Sequence, residues 1–83
     1  MVRIKKEMND KLTTVYLGEL ELYFSYETCI GFQELADKPV ISENKWSNTT
    51  GKHLNHIDPD KEYRVPHQEF EEKLEELIEE KGL

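Results

Sequence analysis

The sequence predicts an α+β fold: a small antiparallel β-meander of three to four strands, followed by a short helix and a C-terminal amphipathic helix packed on one sheet face. Three observations predict it. Strand-like alternation of apolar residues is confined to the first half of the chain, and a helical apolar stripe to the stretch beyond Pro66. That stripe needs a cover, and one face of a sheet supplies it most economically.

Each element has its own justification. Met1–Asp10 is polar and lacks clean periodicity, so it reads as a frayed lead-in or the start of a first strand. Val15-Tyr16-Leu17 is apolar, and Gly18 after it marks a turn or a bulge. Leu20, Leu22 and Phe24 then alternate with Glu19, Glu21 and Tyr23, the period of a half-buried strand. Ser25-Tyr26-Glu27-Thr28 reads as a hairpin connection into Cys29-Ile30-Gly31-Phe32, where Gly31 suggests a bend or close packing. Asp37-Lys38-Pro39 makes a second turn before a short strand over Val40-Ile41-Ser42-Glu43. Tyr16, Tyr23 and Tyr26 are expected as strand aromatics offered to a partner, although some of them must belong to the core.

The pattern changes at Trp46. Ser47, Asn48, Thr49 and Thr50 are all N-cap residue types, and Leu54 and Ile57 sit three apart, predicting a short helix from about Thr50 to Ile57. Asp58-Pro59-Asp60 stops it. Pro66 suits the first turn of the last helix, Phe70, Leu74, Leu77 and Ile78 make one face, and Gly82 ends it. A helix of about 15 residues is marginal alone in water, so both helices are expected on one side of the sheet.

Composition bounds the function classes. With 83 residues, 36% hydrophobic and 35% charged, the chain makes a single domain over 1–83 with too few apolar side chains for two cores. No apolar run approaches the roughly 18 residues of a membrane span, and no hydrophobic leader follows Met1. The lone Cys29 excludes an internal disulfide framework and fits a reducing, cytoplasmic setting. The net charge is −7. Pro66–Leu83 holds seven glutamates against Lys73 and Lys81, a net of −5, so the other 65 residues carry only −2. A nucleic-acid surface covering the whole domain is disfavoured, while a local cationic site is not.

The segment Trp46–Asn55 is the candidate binding site, with Trp46, Asn48, Thr49, Thr50, Gly51, Lys52, His53 and Asn55 as its residues. A capped helix entrance would offer backbone amides, hydroxyls and an ammonium to an anion or a partner, with Trp46 stacking beside them. The bland alternative is that the threonines only cap and Trp46 belongs to the core. Thr49-Thr50-Gly51-Lys52 lacks the earlier glycine of a P-loop. His53, His56 and His67 with Cys29 make a poor structural zinc set, so no metal and no cofactor is expected. Cys29 in a strand is expected as a small buried hydrophobe, and the glutamates lack the burial that acid–base chemistry needs, so no catalytic residue is assigned.

Phe24-Ser25-Tyr26-Glu27-Thr28 (F-S-Y-x-T) and Trp46-Ser47-Asn48-Thr49-Thr50-Gly51-Lys52-His53-Leu54-Asn55 (W-x-x-T-T-G-K-H-L-N) together resemble a family of small phage, prophage and archaeal or archaeal-virus proteins with no established activity. The resemblance runs from about Glu19 into the final helix; it departs at Cys29, where proline is expected, and at Gly31, where alanine is. It implies a viral or mobile-element context and no mechanism. The functional expectation is a non-enzymatic binding module that contacts a host or viral macromolecule in the host cytoplasm, first of all a protein. Nucleic-acid binding through Trp46, Lys52, His53 and Asn55 is the alternative, and an acidic nucleic-acid mimic acting through the last helix is a third. Self-association would also bury one face of so small a core.

Overall fold

A computed structural model describes residues 2–34, 37–46 and 48–82, so the expected cap at Ser47 lies outside the described residues. Alternating apolar side chains from Leu12 to Phe32 build a meander of β1 (Val2–Glu7), β2 (Leu12–Leu17), β3 (Leu20–Ser25) and β4 (Thr28–Glu34), closed by the two-residue β5 (Val40–Ile41). All neighbours are antiparallel, in the order β1-β2-β3-β4-β5. The sheet has five strands because the polar stretch after Met1 is a full strand, paired from Val2↔Leu17 to Glu7↔Leu12. The side chains of β1 are almost all exposed, so no apolar alternation marks it in the sequence and the backbone ladder to β2 defines it.

The turns follow local chemistry. Gly18 adopts φ 62° in the two-residue link between Leu17 and Leu20, a conformation glycine takes without steric cost. Ser25 pairs with Thr28 across Tyr26-Glu27, with Tyr26 at φ 57° and its N–H donating to the Lys11 carbonyl at 2.8 Å. Between Tyr23 and Phe24 the register shifts, leaving Ile30 without an opposite on β3, a β-bulge. β5 stops after Ile41 because the chain changes partner: Ser42 bridges Val65 in parallel and the Glu43 N–H donates to the Val65 carbonyl.

Helix α1 spans Asn48–Ile57, a 3₁₀ turn spans Lys61–Tyr63, and α2 spans His67–Lys81. Pro66 precedes α2, and Gly82 ends it at φ 71° with its N–H donating to the Ile78 and Glu79 carbonyls, a glycine C-cap.

The α+β architecture is as expected, and α2 covers one sheet face. The expected placement of both helices on one side is corrected, because the two helices divide the faces. On one face Leu20 and Phe32 meet Phe70 and Leu77 of α2, flanked by Leu17, Leu22, Val40 and Leu74. On the other, Leu12, Tyr23, Ile30 and Ile41 meet Leu54 of α1, with Trp46 and Ile57 against them. The strand register accounts for this: Leu22 pairs with Phe32 on the α2 face, while Tyr23 pairs with Gly31, and Gly31 with Ile41, on the α1 face. Of the three tyrosines expected to be offered to a partner, Tyr23 is thus a core residue at 9% exposure. Among the described residues no helix is long and apolar enough to cross a membrane.

Candidate binding cleft

Helix α1 is built from poor helix formers, Asn48-Thr49-Thr50-Gly51 at its start and two histidines further on. Its shape is imposed by what it covers. Leu54 is fully buried, and Thr50 and His53 turn inward beside it. Ser25 Oγ, at 2% exposure, lies 2.6 Å from His53 Nδ1 and 3.2 Å from Thr50 Oγ1, so a polar knot pins α1 to the end of β3. Burial pushes the His53 imidazole below its ordinary value, with the neighbouring His56 and Lys11 charges acting in the same direction. The Tyr26 ring leans over it at 5.8 Å.

Trp46 is half-buried. Its ring packs against the α1-side core and stands edge-on to His67 at 5.1 Å, and its backbone N–H donates to Asn44 Oδ1 at 3.0 Å. His67 in turn reaches Ser42 Oγ at 3.2 Å through Nδ1 and Glu71 Oε1 at 2.8 Å through Nε2. Each helix is therefore tied to the sheet side of the molecule by a histidine–serine hydrogen bond. His56 faces a third direction, with Nε2 at 2.9 Å from Glu7 Oε2, and holds the Glu7 carboxyl below its usual range. The three histidines do not converge.

The other side of α1 faces solvent. Asn48, Gly51, Lys52 and Asn55 line a cleft of about 270 Å³ whose remaining walls are Asn44, Lys61 and Arg64. The Arg64 guanidinium is fixed there, since Nη2 donates to Asn55 Oδ1 at 2.8 Å and to the Asp58 carbonyl at 3.4 Å. Its Nε is buried with no acceptor among the described residues. Gly51 lets the Asn44 amide lie close against the helix, since a Cβ at that position would fall 3.0 Å from Asn44 Nδ2. Three cations and three side-chain amides thus share a concavity with no carboxylate side chain among its described lining residues, in a chain of net charge −7.

Of the eight expected site residues, the structure brings Asn48, Gly51, Lys52 and Asn55 together on this surface. Thr49 is exposed outside the lining, Trp46 lies beside the core, and Thr50 and His53 face inward. Sequence reasoning missed Asn44, Lys61 and Arg64. Their signal was charge and amide chemistry on both sides of the helix, at separations only the tertiary fold closes. Cys29 is half-buried, and burial pushes its thiol up to about 11, far from a thiolate nucleophile at neutral pH.

The molecule is a five-stranded antiparallel sheet with one helix on each face and a cationic, amide-lined cleft beside the shorter helix. The chain belongs to the family of unknown function DUF8033, whose model matches residues 3–72. No curated protein and no solved structure matches it.

Proposed function

We propose that the protein is a small non-enzymatic binding module whose cleft between α1 and Arg64 takes an acidic group of a protein partner. The lining carries the reading: Lys52, Lys61 and Arg64 beside Asn44, Asn48 and Asn55 offer several hydrogen-bond donors to an anion, with no competing carboxylate among the described lining residues. The resemblance to phage, prophage and archaeal proteins supports a host or viral macromolecule in the host cytoplasm as that partner.

Titration of the isotope-labelled chain with a short aspartate-rich peptide tests it. Amide shifts are expected at Asn48, Gly51, Lys52 and Asn55, with affinity falling about fivefold in Lys52→Ala and again in Lys61→Ala, as for exposed charge pairs of about 1 kcal/mol each. Shifts scattered over the surface, or equal affinity in both variants, would overturn it.

Nucleic acid is the second reading. His53 is buried and Trp46 packs beside the core, whereas Tyr63, 59% exposed and under Lys38 Nζ at 4.7 Å, offers a stacking ring. This reading requires a single-stranded oligonucleotide to bind more tightly than the peptide, with a steep salt dependence and a loss on Tyr63→Ala.

A further inference from the structure

We propose that β1 is a docking edge for an extended strand of a protein partner in which acidic and apolar residues alternate. This surface lies apart from the cleft and rests on different observations. β1 pairs with β2 alone among the described residues, so every second residue turns its N–H and C=O away from the sheet.

The register sorts its side chains. Val2, Ile4 and Lys6 stand opposite Leu17, Val15 and Thr13 on the α2 face, and Arg3, Lys5 and Glu7 stand opposite Tyr16, Thr14 and Leu12 on the α1 face. Val2 at 65% and Ile4 at 63% are the most exposed large hydrophobics of the described chain, beyond the cover of either helix. Three cations crowd this one strand of a chain carrying −7. Two are held along it, Arg3 with its guanidinium 5.0 Å over the Tyr16 ring and Lys5 with Nζ 3.7 Å from Glu7.

Charge decides the occupant. A second copy would pair β1 antiparallel with itself in registers that set Arg3 on Arg3, Arg3 on Lys5, Lys5 on Lys5 or Lys6 on Lys6; the last two offset this by placing Glu7 opposite Arg3 or Lys5, but with one carboxylate per strand no register meets all three cations. Directly opposed like charges destabilise a strand pair. A partner strand with carboxylates opposite Arg3, Lys5 and Lys6, and branched apolar residues opposite Val2 and Ile4, satisfies both faces. It would extend the sheet to six strands along an edge about 20 Å long.

The test is an NMR titration of the full chain with the peptide acetyl-Thr-Glu-Glu-Val-Glu-Ile-amide, and with its counterpart carrying lysine for glutamate. The acidic peptide is expected to shift the amides of Val2–Glu7, whether or not its carboxylates also reach the cleft and shift those of Asn48–Asn55. Arg3→Glu combined with Lys5→Glu should weaken it about tenfold, and Ile4→Thr, which keeps strand propensity and charge, should also weaken it. Lys52→Ala should leave the Val2–Glu7 shifts unchanged, which separates this edge from the cleft. Equal binding of the lysine peptide, shifts confined to the cleft, or unchanged affinity in both β1 variants would overturn the proposal. So would self-association of the protein alone that Ile4→Lys abolishes, since the occupant would then be a second copy.

Discussion

His53 is read from sequence as a ligand-facing residue of a helix entrance, yet it is 1% exposed and bound to Ser25. Burial lowers its pKa from 6.5, so the folded protein holds it neutral. In the pH window between the lowered value and 6.5 the unfolded chain binds the extra proton. This contribution to stability is intact above the unfolded pKa, falls as pH drops through that window, and is fully lost below the folded pKa. Urea unfolding from about pH 7.5 down to about pH 5 should show stability falling with a slope of at most about 1.4 kcal/mol per pH unit from this group, and His53→Gln should flatten that component. Gly31 is a second residue whose role is steric. A Cβ there would sit 2.8 Å from Ile41 Cδ1 and 3.2 Å from Tyr23 Cδ2, so Gly31→Ala should cost about 1–3 kcal/mol in the same assay. Sequence marked this glycine as a place of bending or close packing without saying what approached it.

The two helices differ in what makes them helical. In α2 the four apolar positions, the glycine stop and the many glutamates all favour the helix locally, and its footing is Phe70 at 1% and Leu77 at 5% exposure. Phe70→Ala should destabilise the chain by about 3–5 kcal/mol. α1 has weak local preference and is held by Leu54 and by the Ser25 knot. Ser25→Ala leaves the buried His53 and Thr50 one partner short and should cost about 1–3 kcal/mol. Hydrogen exchange in that variant should quicken across α1 while α2 stays protected, because the two elements lean on opposite faces. The periodicity that announced α2 is local and survives in the sequence. The contacts that decide α1 come from residues more than twenty positions earlier, so its start and its inward face were not readable.

At the scale of the whole molecule, charge is arranged by face and edge. The glutamates of α2 flank one sheet face, the cation-lined cleft adjoins the helix on the other, and β1 carries its cations at an open edge. Converting Glu72, Glu76 and Glu79 to Gln changes the net charge from −7 to −4 and removes only exposed carboxylates. The variant should keep its fold by circular dichroism and bind the aspartate-rich peptide at least as tightly. A native partner lost by this variant alone would instead assign the contact to α2 and favour the mimicry reading.

Alternation along β2 to β4, the α2 stripe and the punctuation at Gly18, Pro66 and Gly82 are local, each set by residues within a turn or two of one another. They determined the α+β class from sequence alone. The division of the helices between the faces was decided by tertiary packing, since Tyr23 and the bulge at Ile30 make the second face apolar in a way a period of two does not display. So was the make-up of the cleft. Only the close return of Arg64 to Asn55, nine residues apart across a proline-bearing turn, brings its cations and amides to one spot.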